Sequence, residues 1–320
     1  MDLKDAKREI NPGDHRNDGS LILGKPLPAL HDAEGNEVPE SLPPIVDAHV
    51  HLFPEVFFRA IWRWFDQFGW PIRYKLKSAE VLEFLLARGL SHIVGLHYAH
   101  KPGVARKQNS HMIRLCRKFA QLSGTATVFP GEKDAKKILA DGFRDGLCGV
   151  KLHSHVQCFD MDSEGMHEIY RVCVEHNKPL VMHVGREPRS PASKCDSYLL
   201  CSAAQLEKVI RGYPELKVCV PHLGGDEFKA YQRLIRDYDN LWLDTTMTLA
   251  GYMQGFSGPP LEEMRVDRIM YGSDFPQLPY AWDRELKKLS ELGLSRESLR
   301  LILNQNAIEF FSIKGFQESG

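Results

Sequence analysis

The sequence lacks the features that identify several classes of protein. Its seven cysteines form no CxxC pair and no zinc-ribbon spacing, so we expect reduced thiols rather than a structural zinc module. No stretch approaches the roughly 18 uninterrupted apolar residues of a membrane span, and the first twenty residues lack the apolar core of a signal peptide. These absences predict a cytoplasmic protein that does not bind membranes.

An excess of charge of one sign is also absent. The 41 Lys and Arg residues are matched by 42 Asp and Glu residues, which gives a formal net charge of −1. No overall field therefore draws the chain to nucleic acid or to a membrane surface, and the expected partner is a small-molecule substrate. A homo-oligomer is compatible with the sequence, because the segment before residue 45 could pack against a neighbouring subunit.

The length of 320 residues is compatible with one large domain, because α/β barrels of about 250 residues often carry extensions. Residues 1–44 are rich in Asp, Lys, Gly and Pro and end in SLPP, which predicts an N-terminal arm or linker. We assign residues 45–312 to the domain and residues 313–320 to a C-terminal tail.

Short apolar runs alternate with longer amphipathic segments along this domain, which is typical of repeated βα units. Helical patterns lie at 78–89, 109–122 and 134–143, among others. The count of strand-like runs favours a (β/α)8 TIM barrel over an open doubly wound sheet, since no GxGxxG follows the first run. The eight runs are 45–50, 92–98, 124–129, 148–153, 179–184, 216–222, 240–246 and 267–274.

An aromatic-rich insertion after strand one distorts this simple rhythm. It spans residues 53–77 and lies between the first strand and its helix. We favour a local core packed over the barrel rim, and a lid over the active site is the alternative. Its aromatic residues are Phe53, Phe57, Phe58, Trp62, Trp64, Phe65, Phe68, Trp70 and Tyr74.

Polar side chains end several of the apolar runs, and in a barrel these strand ends meet at one face. Strand one ends in Asp47, His49 and His51, which the alternation of a strand places on one side. His183, His222 and Asp274 close three other runs. Several imidazoles and a carboxylate are ligands that a metal such as zinc prefers, so we predict a metal site.

Strand four places Lys151 and His153 on one face. A buried, deprotonated lysine can react with CO2 to form a carbamate that bridges two metals. We favour the alternative, in which Lys151 stays charged and pairs with Asp47 or another inward carboxylate.

Six motifs together resemble the amidohydrolase superfamily, and more closely its amidohydrolase-related branch, which includes the aminocarboxymuconate-semialdehyde decarboxylase type. The likeness spans residues 45–312 in the expected order and implies a metal-dependent TIM-barrel enzyme. The motifs are DAHVHLFPE (47–55), GVKLH (149–153), VMHVG (181–185), PHLGG (221–225), YGSDFP (271–276) and NQNAIEFF (304–311).

The resemblance implies metal ligands at His49, His51, His183 and Asp274, with His222 and Asp274 as catalytic residues. The expected cofactor is one divalent ion rather than two, zinc before manganese. Lys151 stands where some binuclear relatives carry a carboxylated lysine, and His153 at a position that contacts substrate in relatives.

Hydrolysis of a small amide, ester or lactone by metal-activated water is the favoured function. Asp274 is placed to accept the proton and His222 to polarise the carbonyl. A metal-dependent, non-oxidative decarboxylase of a small carboxylic acid, aromatic or otherwise, is the alternative, and a non-catalytic metal-binding barrel is the third. Arg186 and Arg189 follow His183 and are candidate clamps for a substrate carboxylate.

Overall fold

The computed structural model describes residues 28–186, 192, 194–251 and 259–316. Eight parallel strands are found in these residues, each on one of the predicted runs. β3 begins two residues before its predicted run, 124–129, and shares only Gly124 with it. β1 ends one residue after its own predicted run, 45–50. The strands are β1 (Val46–His51), β2 (His92–Leu96), β3 (Leu122–Gly124), β4 (Val150–His153), β5 (Leu180–His183), β6 (Val218–Val220), β7 (Leu241–Asp244) and β8 (Ile269–Met270).

Helices connect the strands and cover them from outside. The last four residues of the 109–122 prediction are wrong, since the helix ends before Phe119, whose backbone is already extended toward β3. The helices are α1 (Glu55–Phe68), α2 (Ser78–Leu86), α3 (Ala105–Lys118), α4 (Ala135–Arg144), α5 (Ser154–Gln157), α6 (Glu164–Glu175), α7 (Ser197–Leu200), α8 (Ala203–Gly212), α9 (Phe228–Asp237), α10 (Arg284–Glu291), α11 (Arg296–Arg300) and α12 (Asn306–Phe311). Among the described residues, no helix combines the length and apolarity needed to cross a bilayer.

The strands form two parallel sheets, β1-β2-β3 and β4 to β8, which are joined into a ring. Between β3 and β4, Ala126 bridges to Val150, and the Lys151 N–H donates to the Ala126 carbonyl at 2.8 Å. Between β8 and β1, Val50 bridges to Phe275, and the Asp274 N–H donates to the His49 carbonyl at 2.9 Å. The chain is therefore a distorted TIM barrel, as expected.

The described part of the predicted arm lies against the barrel. We call residues 28–44 the N-terminal strap. The Gly35 N–H donates to the Asp283 carboxylate at 2.7 Å, and the Trp282 indole donates to the Gly35 carbonyl at 3.0 Å. Near the other end, the Val38 N–H donates to the Arg88 carbonyl at 2.9 Å. These bonds attach the strap to the loop after β8 and to the end of α2.

The aromatic insertion forms α1, and its rings pack against one another. Phe58 is fully buried, stacks on Trp62 with centroids 5.6 Å apart, and meets the edge of Phe53 at 5.5 Å. Trp64 is 38% exposed and contacts the rings of Phe65 and Phe68. The contacts are those of a local core at the barrel rim.

Candidate active site

Three buried side chains from the two ends of the barrel domain converge at the strand ends. His49 and His51 of β1 and Asp274 after β8 each offer one ligand atom, and these atoms lie within 4.8 Å of one another. The Asp274 carboxylate is 3.0 Å from His51 Nε2 and 3.5 Å from His49 Nε2. Two imidazole nitrogens and a carboxylate oxygen at this spacing can hold a divalent metal ion.

The backbone around Asp274 is shaped to bring its carboxylate inward. Asp274 itself has a left-handed φ of 69°, which a non-glycine residue adopts only when its surroundings enforce it. Two residues earlier, a Cβ on Gly272 would lie 2.7 Å from His49 Cβ and 2.6 Å from Thr246 Oγ1. The glycine of the YGSDFP motif therefore allows β8 to approach β1 and β7 closely.

Asp244, at the end of β7, fixes the ring of His49. Its Oδ2 lies 2.8 Å from His49 Nδ1, and both side chains are buried. Burial alone would raise the pKa of Asp244, but the charge and hydrogen bond of His49 hold that pKa well below 3.8. Because the ionised carboxylate only accepts, the hydrogen is assigned to Nδ1, which leaves the Nε2 lone pair for a metal ion.

Protonation in the cluster suits metal binding. Burial, with the Lys151 amine, lowers the pKa of His49 to about 4, so its imidazole is neutral near pH 7. Burial raises the pKa of Asp274, but the charge and hydrogen bond of His51 more than offset this effect, and the pKa falls below 3.8. A neutral imidazole and an ionised carboxylate are the forms that bind metal.

His183 lies beside this cluster in a row of histidine rings. It stacks on His153 with centroids 4.0 Å apart, and its centroid is 4.7 Å from that of His222. Burial lowers the pKa of His183 well below 6.5, which keeps the ring neutral. Its role as a fourth ligand remains a prediction, as does the substrate contact of His153.

His222 begins a tight turn that carries its ring toward the cluster. Its Nδ1 lies 3.0 Å from the Thr246 carbonyl oxygen, so the hydrogen on Nδ1 is donated there. Its backbone N–H donates to Asp244 Oδ1 at 3.1 Å, and its φ is 55°. Gly225 ends the turn, where a Cβ would lie 2.0 Å from the Arg186 carbonyl oxygen.

Lys151 is fully buried, and its Nζ lies 3.4 Å from His49 Nε2. The Asp47 carboxylate is bound elsewhere, because its Oδ1 accepts the backbone N–H groups of His49 and Ser273 at 3.1 Å each. Pairing of Lys151 with Asp47 or another inward carboxylate remains a prediction. Carboxylation of Lys151 remains a prediction.

Of the two arginines predicted to bind a substrate carboxylate, only Arg186 lies within the described residues. The Arg186 guanidinium lies at the rim, with Nε 3.5 Å from a Glu227 carboxylate oxygen and Nη2 donating to the Tyr198 carbonyl at 3.2 Å. Arg189 lies outside the described residues. Substrate binding by either residue remains a prediction.

Aromatic rings line the approach to the cluster. The Phe53 ring stacks on His51 at 5.7 Å, and Tyr98 meets the rings of Phe53 at 5.0 Å and His153 at 4.8 Å. Burial and the Asp274 charge raise the pKa of Tyr98 above 10, so its phenol is neutral.

The sequence reasoning missed both Tyr98 and Asp244 as site residues. Each ends an apolar run with a polar group, which was the signal that could have identified them.

A family model described as amidohydrolase matches residues 46–313 of the chain. No curated protein matches the chain by sequence.

Solved structures share the fold at low sequence identity. A 5-carboxyvanillate decarboxylase from Novosphingobium aromaticivorans, complexed with manganese and 4-hydroxy-3-methoxy-5-nitrobenzoic acid, is 17% identical with a TM-score of 0.62, over 88% of this chain and 99% of that one. A 2,6-dihydroxybenzoate decarboxylase complexed with 2,6-dihydroxybenzoate is 14% identical with a TM-score of 0.62, over 85% and 100%. A probable 2-pyrone-4,6-dicarboxylic acid hydrolase from Acinetobacter baumannii is 18% identical with a TM-score of 0.57, over 84% and 99%.

Proposed function

Because the chain belongs to the amidohydrolase family, we propose that it is a metal-dependent, non-oxidative decarboxylase of a small hydroxylated aromatic carboxylic acid. This reverses the order favoured from the sequence, in which hydrolysis came first. The observation that carries the proposal is the set of aromatic rings beside the metal-binding cluster. Two similar structures are decarboxylases with benzoic acids bound, which supports this order.

The rings lie next to the ligand atoms, with Phe53 buried and Tyr98 half-buried. Phe53 and Tyr98 meet edge to face at 5.0 Å, and Tyr98 is also 5.9 Å from the His51 ring. Flat rings pair favourably with aromatic faces and edges at such distances. A benzoic acid with its ring against Phe53 and Tyr98 would direct its carboxylate toward His51 and Asp274.

The donor set fits a single divalent ion. His49, His51 and Asp274 would hold it, with His183 as the proposed fourth ligand. When bound, the ion supplies a Lewis acid that orients and polarises the oxygens of the acid. Imidazole-rich sets favour zinc, whereas the carboxyvanillate decarboxylase carries manganese, so both ions are to be tested.

The proton for decarboxylation is assigned to His222. Asp274 is a poor acid here because its pKa is lowered. The imidazolium of His222 keeps its Nδ1–H on the Thr246 carbonyl and delivers the Nε2 proton to the ring carbon that bears the carboxylate. The carbon–carbon bond then breaks, its electron pair restores the aromatic ring, and CO2 leaves. A hydroxyl group ortho or para to the carboxylate stabilises the protonated ring.

Hydrolysis of a lactone is the second candidate. The same residues would serve, with Asp274 accepting a proton from the attacking water and His222 donating to the carbonyl oxygen. The similarity to a probable 2-pyrone-4,6-dicarboxylic acid hydrolase supports this candidate.

Carbon-13 NMR can separate the two functions. The protein, loaded with Mn²⁺ or Zn²⁺, is incubated with carboxyl-labelled 2-hydroxy- and 4-hydroxybenzoic acids, with unsubstituted benzoic acid as control and a pyrone dicarboxylic acid as the hydrolase substrate. We expect labelled CO2 and bicarbonate from hydroxylated acids alone. Ring opening of the pyrone, with no CO2 from any acid, would contradict the decarboxylase proposal.

A further inference from the structure

Asp244 contacts both halves of the site with different carboxylate oxygens. Oδ2 holds the His49 ring through Nδ1 at 2.8 Å. Oδ1 accepts the backbone N–H groups of His222 at 3.1 Å and Thr246 at 3.2 Å. Thr246 in turn accepts the His222 ring hydrogen through its carbonyl oxygen at 3.0 Å. One buried side chain therefore touches the ring of a ligand and the turn of the proton donor.

We propose that Asp244 is a positioning residue that couples the metal centre to the acid. One oxygen fixes the His49 ring in the form that binds metal, and the other fixes the turn that carries His222. This inference rests on the proposed function for the role of His222. It does not depend on whether the substrate is an acid or a lactone.

An amide at position 244 can satisfy only one of these two roles. In Asp244→Asn the amide oxygen should stay with the two backbone donors, because two hydrogen bonds outweigh one. The amide NH2 group then faces the Nδ1–H of His49, and two hydrogen-bond donors cannot pair. The His49 hydrogen must move to Nε2, which removes the lone pair that the metal ion needs.

The expected effect is a loss of metal affinity of about 10- to 100-fold, typical when the partner of a ligating histidine is lost. At saturating metal, turnover should fall far less, because the His222 turn is kept. In Asp244→Ala both contacts are lost, so affinity and turnover at saturating metal should fall together.

Metal affinity can be measured by titrating the chelator-treated protein with Mn²⁺ and following free Mn²⁺ by electron paramagnetic resonance. The matched control is Asp47→Asn, another fully buried carboxylate near His49, whose Oδ1 accepts the backbone N–H groups of His49 and Ser273. We expect Asp47→Asn to bind Mn²⁺ within threefold of the wild type. Wild-type affinity in Asp244→Asn would overturn the inference.

A second measurement uses the wild-type protein, so its result does not depend on whether a variant folds. In metal-free wild-type protein labelled with ¹⁵N-histidine, the ring spectrum of His49 should show the hydrogen on Nδ1. A hydrogen on Nε2 would overturn the inference. If these results hold but no acid is decarboxylated, the proposed reaction fails and the positioning role stands. If the wild type binds no metal, both fail.

Discussion

Single residues in the cluster are held in the protonation states that a metal ion requires before it arrives. The pKa of His49 is lowered to about 4, that of His183 lies well below 6.5 and that of Asp274 lies below 3.8. Near pH 7, binding would therefore displace no proton from these three groups. Burial alone would give the neutral imidazoles, whereas the ionised carboxylate depends on the histidines around it.

The role assigned to His222 predicts a loss of turnover without a loss of metal. A glutamine at this position can hydrogen-bond but cannot carry the proton, so His222→Gln should lower kcat by about 10²- to 10⁴-fold. Metal content, measured by elemental mass spectrometry, should match the wild type. His176→Gln, on the exposed side of the barrel, is the control and should keep full activity. A His222→Gln enzyme with kcat near that of the wild type would remove His222 from the proton transfer.

The residues that the sequence identified are those that a local pattern marks. His49 and His51 were found because strand alternation is local, and Asp274 because it ends an apolar run. Asp244 also ends an apolar run, but its contact with His49, 195 residues away, is seen only in the structure.

At the scale of elements, the strand runs could be predicted closely and their surroundings less so. Buried parallel strands are apolar on both faces, which makes each run visible in the sequence. The end of α3 was misplaced because Phe119 and Leu122 continue its apolar period while belonging to the entry of β3. The docking of the N-terminal strap depends on contacts with residues far along the chain, such as Gly35 with Asp283, which no local pattern reveals.

The strap provides an element-scale prediction. In Gly35→Ala, the new Cβ would lie 2.7 Å from the Asp283 carboxylate, so the strap or the Asp283 side chain must shift and their hydrogen bond is disturbed. The free energy of unfolding should fall by about 1–3 kcal/mol. Gly212→Ala is the matched control, since its Cβ would meet nothing within 4 Å, and it should change stability by less than about 1 kcal/mol. Urea titrations of both variants measure this difference, and equal stabilities would show that the strap contributes little.

At the scale of the whole molecule, buried histidines outside the cluster predict how stability depends on pH. Burial lowers the pKa of His92 and His111 to about 4, against 6.5 in the unfolded chain. Between these values the unfolded state binds more protons, so the free energy of unfolding falls as pH falls from 6.5 toward 4. Each such histidine adds a slope of about 1.4 kcal/mol per pH unit.

Urea unfolding of the metal-free protein near pH 7, 6 and 5 can test this dependence. His92→Gln should reduce the slope of the free energy of unfolding against pH by up to about 1.4 kcal/mol per pH unit. The reason is that the variant lacks one group that binds a proton in the unfolded state and not in the folded state. The exposed His176→Gln variant should keep the wild-type slope. An unchanged slope in His92→Gln would mean that His92 takes up its proton without unfolding.

The proposed metal site lies at the seam where the barrel closes, and this position would link metal binding to global stability. The proposed ligands His49, His51 and Asp274 come from β1 and from the loop after β8, which are joined by few hydrogen bonds, among them Asp274 N–H to the His49 carbonyl. A metal ion bound by β1 and by the loop after β8 would link the two sides of the seam. Because the ligands come together only on folding, the ion would stabilise the folded state alone. At a free metal concentration 100 times its Kd, the ion should add about 2.7 kcal/mol to the free energy of unfolding.

Elemental analysis together with thermal unfolding tests this link. We expect one equivalent of metal per chain and a Tm that falls by roughly 5 °C on chelation. The His49→Ala/His51→Ala variant should hold no metal and show no such change. Two equivalents would instead favour a carboxylated Lys151 as a bridging ligand, since its Nζ lies 3.4 Å from His49 Nε2. A Tm that is indifferent to chelation, with no metal bound even after incubation with Zn²⁺ or Mn²⁺, would mean that the cluster stabilises the seam only through its hydrogen bonds.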